Sequence, residues 1–205
     1  MRDLEIRGAG NLLGAAQSGH IREVGLNLYS QLLQEAVEEM GADKGNGAST
    51  AQGASDLPRM DLPLDARIPD TYIDHMPTRL AIYQRIAKTT SRNDIPKLRE
   101  EMQDRFGPPP QEVDNLLLIA DLRALAGMVN IESIQHTKEA IVLSLRSPVG
   151  GAKAPLQQTL GPSANVGNQR VHLPLRLLGD EWLSRLTRVL ERFLIFHERL
   201  AELPG

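Results

Sequence analysis

The chain has 205 residues and no cysteine; 41% of its residues are apolar, 24% are charged, and the formal net charge is −3. At ~150 residues per domain, that length fits one domain and part of another, and the apolar share is enough for a real core, so gross disorder is excluded. Lack of cysteine excludes a disulfide framework, thiolate zinc and cysteine nucleophiles and fits a cytoplasmic protein, while the charge balance makes no global case for nucleic-acid binding.

The first segment, 1–42, opens on a glycine-rich stretch, Arg7-Gly8-Ala9-Gly10-Asn11-Leu12-Leu13-Gly14, and passes through Gln17-Ser18-Gly19 into a helical pattern. Ile21, Val24, Leu28, Leu32, Ala36 and Met40 recur at three- or four-residue spacing, with Ser18 as N-cap and Gly41 as stop. Residues 43–57 are small, polar and without periodicity, the composition of a flexible linker.

The third segment, 58–205, begins with Leu62, Leu64, Ala66 and Ile68 alternating with Asp61, Pro63, Asp65 and Arg67, a strand that its prolines confine to a sheet edge. Three helices are predicted next, over about 76–89, 94–105 and 110–127. Pro96 lies in the first turn of the second, which Asn93 or Asp94 starts. The third follows Pro108-Pro109-Pro110, ends at Gly127 and is apolar nearly all round, so it is the candidate central helix. Strands are predicted near 130–136 and 139–146, a long loop over 147–167, a strand over 169–175 and a last helix over about 179–202. The final helix carries Trp182, Leu183, Leu186, Val189, Leu190, Phe193, Phe196 and Leu200 on its apolar positions. Helices before and after a small sheet predict an α+β fold: a mixed sheet packed with about four helices.

No catalytic constellation is visible. The sequence has no phosphate-loop spacing and no Gly-x-Ser-x-Gly elbow, and His20, His75, His136, His172 and His197 form no pair at metal-ligand spacing. No residue is assigned to catalysis or to a metal, and the chain alone is not expected to be an enzyme. Glu100, Glu101 and Asp104 share a helix with Lys97, Arg99 and Arg105, the pattern of a solvated, salt-bridged face. Asp104-Arg105-Phe106-Gly107 reads as a helix end in which Phe106 packs, Gly107 terminates, and Asp104 and Arg105 bond locally. Tyr72, Tyr83 and Trp182 are expected in the core. No run is apolar and long enough to span a bilayer, and the first residues lack a leader's apolar stretch.

Gly8, Gly10 and Gly14 do not have dinucleotide spacing, so the first reading of this loop is structural. Its polar company suggests more: Arg7 carries a planar donor fork and Gln17 can link two polar partners. The stretch Arg2-Asp3-Leu4-Glu5-Ile6-Arg7-Gly8-Ala9-Gly10-Asn11-Leu12-Leu13-Gly14, continuing through Gln17-Ser18-Gly19-His20-Ile21, resembles the translocation motif of bacterial transcription-repair coupling factors. A looser version of that motif occurs in the branch-migrating helicase RecG. Ile68-Pro69, Tyr72-Ile73, Arg79-Leu80, Tyr83, Ile86 and Asp104-Arg105-Phe106-Gly107 resemble the C-terminal domain of the same family.

The resemblance implies that 1–42 is the end of a second motor lobe and 58–205 a C-terminal regulatory domain. It implies translocation coupling for Arg7 and Gln17, in a loop shaped by Gly8, Gly10, Gly14 and Gly19, and an interdomain contact for Asp104 and Arg105. Ala15 and Ala16 depart from the acidic residues common at those positions, so charge there is not expected to matter. The family's activity is ATP-dependent translocation on double-stranded DNA, which displaces stalled RNA polymerase and recruits excision-repair proteins. ATP and Mg2+ belong to the parent's motor lobes, so no cofactor is expected in this chain. The expected partners are those lobes, the parent's N-terminal repair-protein-like region and, through the parent, DNA, polymerase and repair proteins; no membrane is expected. The alternative is a free-standing protein-interaction module without a motor.

Overall fold

The computed structural model describes residues 57–201, and the glycine-rich segment with its motif lies outside the described residues. The described residues form a five-stranded mixed sheet and four long helices, supplemented by a two-turn helix and a single helical turn. In chain order they are β1 (Arg59–Asp61), α1 (Met76–Lys88), α2 (Asp94–Phe106), α3 (Gln111–Met128), β2 (Ile131–His136) and β3 (Ala140–Leu145), then α4 (Lys153–Leu160), β4 (Asn165–Val166), β5 (Arg170–Pro174), α5 (Leu175–Leu178) and α6 (Trp182–Ala201). The strand order is β1-β2-β3-β5-β4, with β1 parallel to β2 and the other pairs antiparallel. The expected α+β class therefore holds. Among the described residues no helix is long and apolar enough to cross a membrane.

Helix α3 is the centre. Leu116, Leu122 and Leu125 are fully buried, as are Val113, Ala120 and Ala126 on its other sides. A helix apolar all round must be covered all round. It packs on β1 and β2 on one side and on α1, α2 and α6 on the others. Its one buried charge is Arg123, 7% exposed, whose Nη2 donates to the carbonyls of Ile86 (2.7 Å) and Ala87 (3.2 Å) at the end of α1. Those carbonyls belong to the last turn of a helix, where no intrahelical donor remains.

Three predicted elements are corrected. The alternation from Leu62 to Ile68 is real as burial, with Leu62, Ala66 and Ile68 buried, but the ladder itself is Arg59–Asp61. Pro63 has no N–H to give a ladder, and the backbone beyond it turns to the helices instead. Arg67 N–H donates to the Glu112 carbonyl (3.3 Å), Ile68 N–H to the Tyr83 hydroxyl (2.7 Å), and the Asn115 amide to the Asp65 carbonyl (2.9 Å). The edge position predicted for this strand is where β1 lies.

The predicted loop 147–167 contains α4 and β4. Pro155 stands in the first turn of α4, Leu156 and Leu160 bury one face at i,i+4, and Gly161 ends it at φ +84°. The Gln157 amide then ties the turn: its nitrogen donates to the Gly161 (2.9 Å) and Ala164 (2.7 Å) carbonyls, and its oxygen accepts from Val166 N–H (2.9 Å). The predicted stop at Gly127 is also shifted. Helix α3 runs to Met128, and the chain reverses at Asn130, which takes φ +61°. Tyr83 is buried as expected, while Tyr72 and Trp182 are half-buried against the core; the Leu200 side chain is outside the described set.

Removing the Tyr83 hydroxyl strands the buried Ile68 N–H without its acceptor. Tyr83→Phe is expected to lower stability by about 1–2 kcal/mol in urea unfolding. Stability equal to the parent chain's would show that the 62–73 segment is anchored by packing alone.

Candidate functional site

The site residues predicted from sequence divide in two. Arg7, Gly8, Gly10, Gly14, Gln17 and Gly19 fall outside the described residues. Asp104 and Arg105 lie in the last turn of α2, and the geometry there can be built from the backbone outward.

Phe106 is the last helical residue, and Gly107 follows at φ +88°, a conformation open to glycine and strained for other residues. Gly107 N–H donates to the Gln103 carbonyl at 3.0 Å. The Tyr72 hydroxyl, 2.9 Å from the Gly107 carbonyl and 3.1 Å from that of Met102, covers the acceptors this ending leaves over. Tyr72 meets Phe106 edge to face, with ring centroids 6.0 Å apart. Burial, followed by the Asp114 charge, raises the Tyr72 pKa above its ordinary value, so the hydroxyl stays a donor at any physiological pH.

Arg105 lies over the Phe106 ring at 4.9 Å and donates to Glu101 at 3.0 Å, one turn back. Glu101 also receives both ends of the Arg85 guanidinium from α1, each at 2.7 Å. This bidentate pair is chiefly what holds the Glu101 carboxyl down at about 2, with Arg105 adding to it. Two further arginine–carboxylate forks brace the same layer. Arg99 on α2 holds Asp114 on α3 at 3.0 Å, and Arg92, just before α2, holds Asp121 on α3 at 2.8 and 2.7 Å.

The salt-bridged face expected from the sequence is therefore present, but two of its bridges, Arg85–Glu101 and Arg99–Asp114, run between helices. Glu101–Arg105 is visible in the sequence as an i,i+4 pair; Arg85, Asp114 and Asp121 have no such signal, because only the packing brings them near. The expected helix end holds for Phe106, Gly107 and Arg105. It does not hold for Asp104, which is exposed and bonds to no described residue; Glu100, one turn before it, is equally free. The last turns of α2 thus present two unpaired carboxylates beside a guanidinium fixed by its ring and its glutamate. Such a surface suits a charged protein contact. No group of histidine and carboxylate side chains among the described residues is arranged to hold a metal.

With that geometry in place, the comparisons identify the lineage. Residues 62–151 match the family model of the TRCF domain. The chain is 36% identical over 201 residues to the transcription-repair-coupling factor of Bacillus subtilis, covering 93% of this chain and 17% of that protein. It is 43% identical over 127 residues to the corresponding factor of Myxococcus xanthus, covering 60% of this chain and 10% of that protein. A solved crystal structure of the C-terminal domain of a transcription-repair coupling factor superposes with a TM-score of 0.61 at 23% identity, over 70% of this chain and 97% of that one. That last likeness speaks to the fold. The resemblance read from the sequence holds: over most of its length the chain is similar to the C-terminal portion of transcription-repair-coupling factors. It spans about a sixth (17%) of the length of its Bacillus subtilis relative.

A carboxyl whose folded pKa is depressed adds stability that is full above its unfolded pKa and is lost as the pH falls through the folded one. For Glu101 that window runs from the ordinary 4.5 down to about 2. Its side chain is 36% exposed, so solvent screening keeps the effect below about 1 kcal/mol. Glu101→Gln is expected to melt lower than the parent chain at pH 7, and the gap is expected to close by about pH 2. A gap that persists unchanged at pH 2 would assign the loss to packing and not to charge.

Proposed function

We propose that this chain is the C-terminal part of an ATP-dependent double-stranded DNA translocase that displaces stalled RNA polymerase and recruits nucleotide excision repair. The observation that carries this reading is the similarity to transcription-repair-coupling factors over 93% of the chain. That coverage exceeds the span 57–205, so the similarity extends into residues 1–56. In this reading the protein works in the cytoplasm, and ATP with Mg2+ is bound by the parent's motor lobes. Residues 1–42 transmit lobe closure to stepping. Arg7 contributes its fork to a phosphate or carboxylate partner, Gln17 links two polar partners across the loop, and Gly8, Gly10, Gly14 and Gly19 let the backbone follow.

Residues 58–205 restrain the motor by docking against the parent's repair-protein-like region. The braced end of α2 supports that assignment. Arg85, Glu101 and Arg105 fix the helix end on α1, so a contact made by Arg105 costs little ordering entropy, and Asp104 is carried on the same held backbone. Charged contacts of this kind set register and are released by modest competing interactions, as a reversible restraint requires.

Deleting 58–205 from the parent protein is expected to raise ATPase activity and polymerase displacement by about fivefold or more, and Asp104→Arg to reproduce part of that rise. Unchanged rates in both variants would remove the regulatory reading and leave a partner-binding role. Arg7→Ala in the parent is expected to retain ATP hydrolysis while losing displacement. Displacement at the unsubstituted rate would take Arg7 out of the coupling step.

A further inference from the structure

The sheet has two unlike faces. Across all five strands Met60, Ile134, Leu143, Val171 and Val166 stand in one register row, buried under the helices. One position along, Asp61, Gln135, Val142, His172 and Asn165 form a row on the opposite face, exposed except for the half-buried Val142. At the end of this open face, where β3 begins and β5 stops, lies a cleft of about 660 Å3. Lys138, Glu139, Asn165, His172 and Arg176 line it. None of these five side chains has a hydrogen bond or ion pair among the described residues, so the charges of Lys138, Glu139 and Arg176 are uncompensated there. The less exposed part of the lining is apolar: Ala140, Pro174 and Leu175.

The backbone carrying these groups is fixed. Thr137 N–H donates to the Ala140 carbonyl (2.9 Å), and the Thr137 hydroxyl accepts from Ala140 N–H (3.1 Å), which locks the hairpin tip that presents Lys138. Leu175 N–H donates to the Glu139 carbonyl at 2.9 Å, and Leu178 is buried, which sets the turn that presents Arg176. On a chain of net charge −3, Lys138 and Arg176, carried on these fixed turns, outnumber the one carboxylate, so the lining is net positive. Its complement is an anionic partner.

The chemistry favours a polypeptide over a nucleic acid. Tyr72, Tyr83, Phe106, Trp182, Phe193 and Phe196 all pack with the core, so among the described residues the open face offers bases no phenyl, phenol or indole ring and only the His172 imidazole. The apolar lining is of a size for aliphatic side chains. We infer that this cleft receives an extended acidic segment of a protein partner. Its carboxylates pair with Lys138 and Arg176, and an aliphatic side chain rests on Ala140, Pro174 and Leu175. This surface is on the sheet side, separate from the α2 end, and its existence does not depend on the regulatory reading above.

The test titrates the isotope-labelled full chain, followed by amide NMR, with a capped hexapeptide of alternating glutamate and leucine and, separately, with a hexathymidine oligonucleotide. The peptide is expected to give saturable shifts confined to 138–142, 165 and 172–176. Lys138→Glu with Arg176→Glu is expected to weaken the peptide by about tenfold or more, with the rest of the spectrum unchanged as evidence of folding. Lys153→Glu with Arg188→Glu, an equal charge change elsewhere, is expected to leave the affinity as it was. Shifts spread evenly along α6, equal weakening by both double variants, or a tighter response to the oligonucleotide would each overturn the proposal.

Discussion

Everything in the described structure depends on covering α3. Its sequence offers no polar face to solvent over most of five turns, so it cannot be a surface helix. A sheet covers one side, and three helices are needed for the rest, which is why α1 and α2 precede it and α6 returns to it. The one charge this helix buries is placed where a charge has work to do. Arg123 adds a donor to the Ile86 carbonyl, which also accepts from Thr89 N–H, and supplies one to that of Ala87, and burial pushes its pKa down to about 10, so it remains a cation at neutral pH. Its Nε has no partner among the described residues, a desolvation cost accepted for the two carbonyl bonds.

The same constraint decides what was legible in the sequence. Periodicity reports burial, and where burial alone fixes an element the prediction and the structure agree: α1, α2 and α3, the hairpin of β2 and β3, and α6. Where hydrogen-bond partners decide, they part. Leu62, Ala66 and Ile68 do alternate inward, but whether they join a ladder is settled by Pro63 and by acceptors on helices distant in sequence. Helix α4 is two turns long with two buried leucines, too short for periodicity to stand out, and only Pro155 in its first turn and Gly161 after it marked its ends. At the candidate site, a helix end was readable from Phe106-Gly107, whereas Arg85 and Asp114 became neighbours of α2 only through the fold.

The two surfaces described here differ in how they were made available. The end of α2 is a by-product of bracing. Three arginine forks consume the nearby carboxylates Glu101, Asp114 and Asp121, and Glu100 and Asp104 are left over on the outward side. The open sheet face is a by-product of layering. All the long helices were required on the side of Met60, Ile134 and Leu143, so nothing in the described residues covers Gln135, His172 and Asn165.

That asymmetry matters for how such a domain could serve a larger machine. A partner bound at the α2 end meets side chains tied through Arg85 to α1 and through Arg99 to α3, so force applied there passes into the core helix. A partner in the sheet-side cleft meets the hairpin tip and the turn after β5, held to each other by backbone bonds and attached to the core through the strands. The first contact is mechanically continuous with the helical layer, and the second can be made or lost with the helical layer undisturbed. A domain with both can be docked through its helices while its sheet remains free to report to something else.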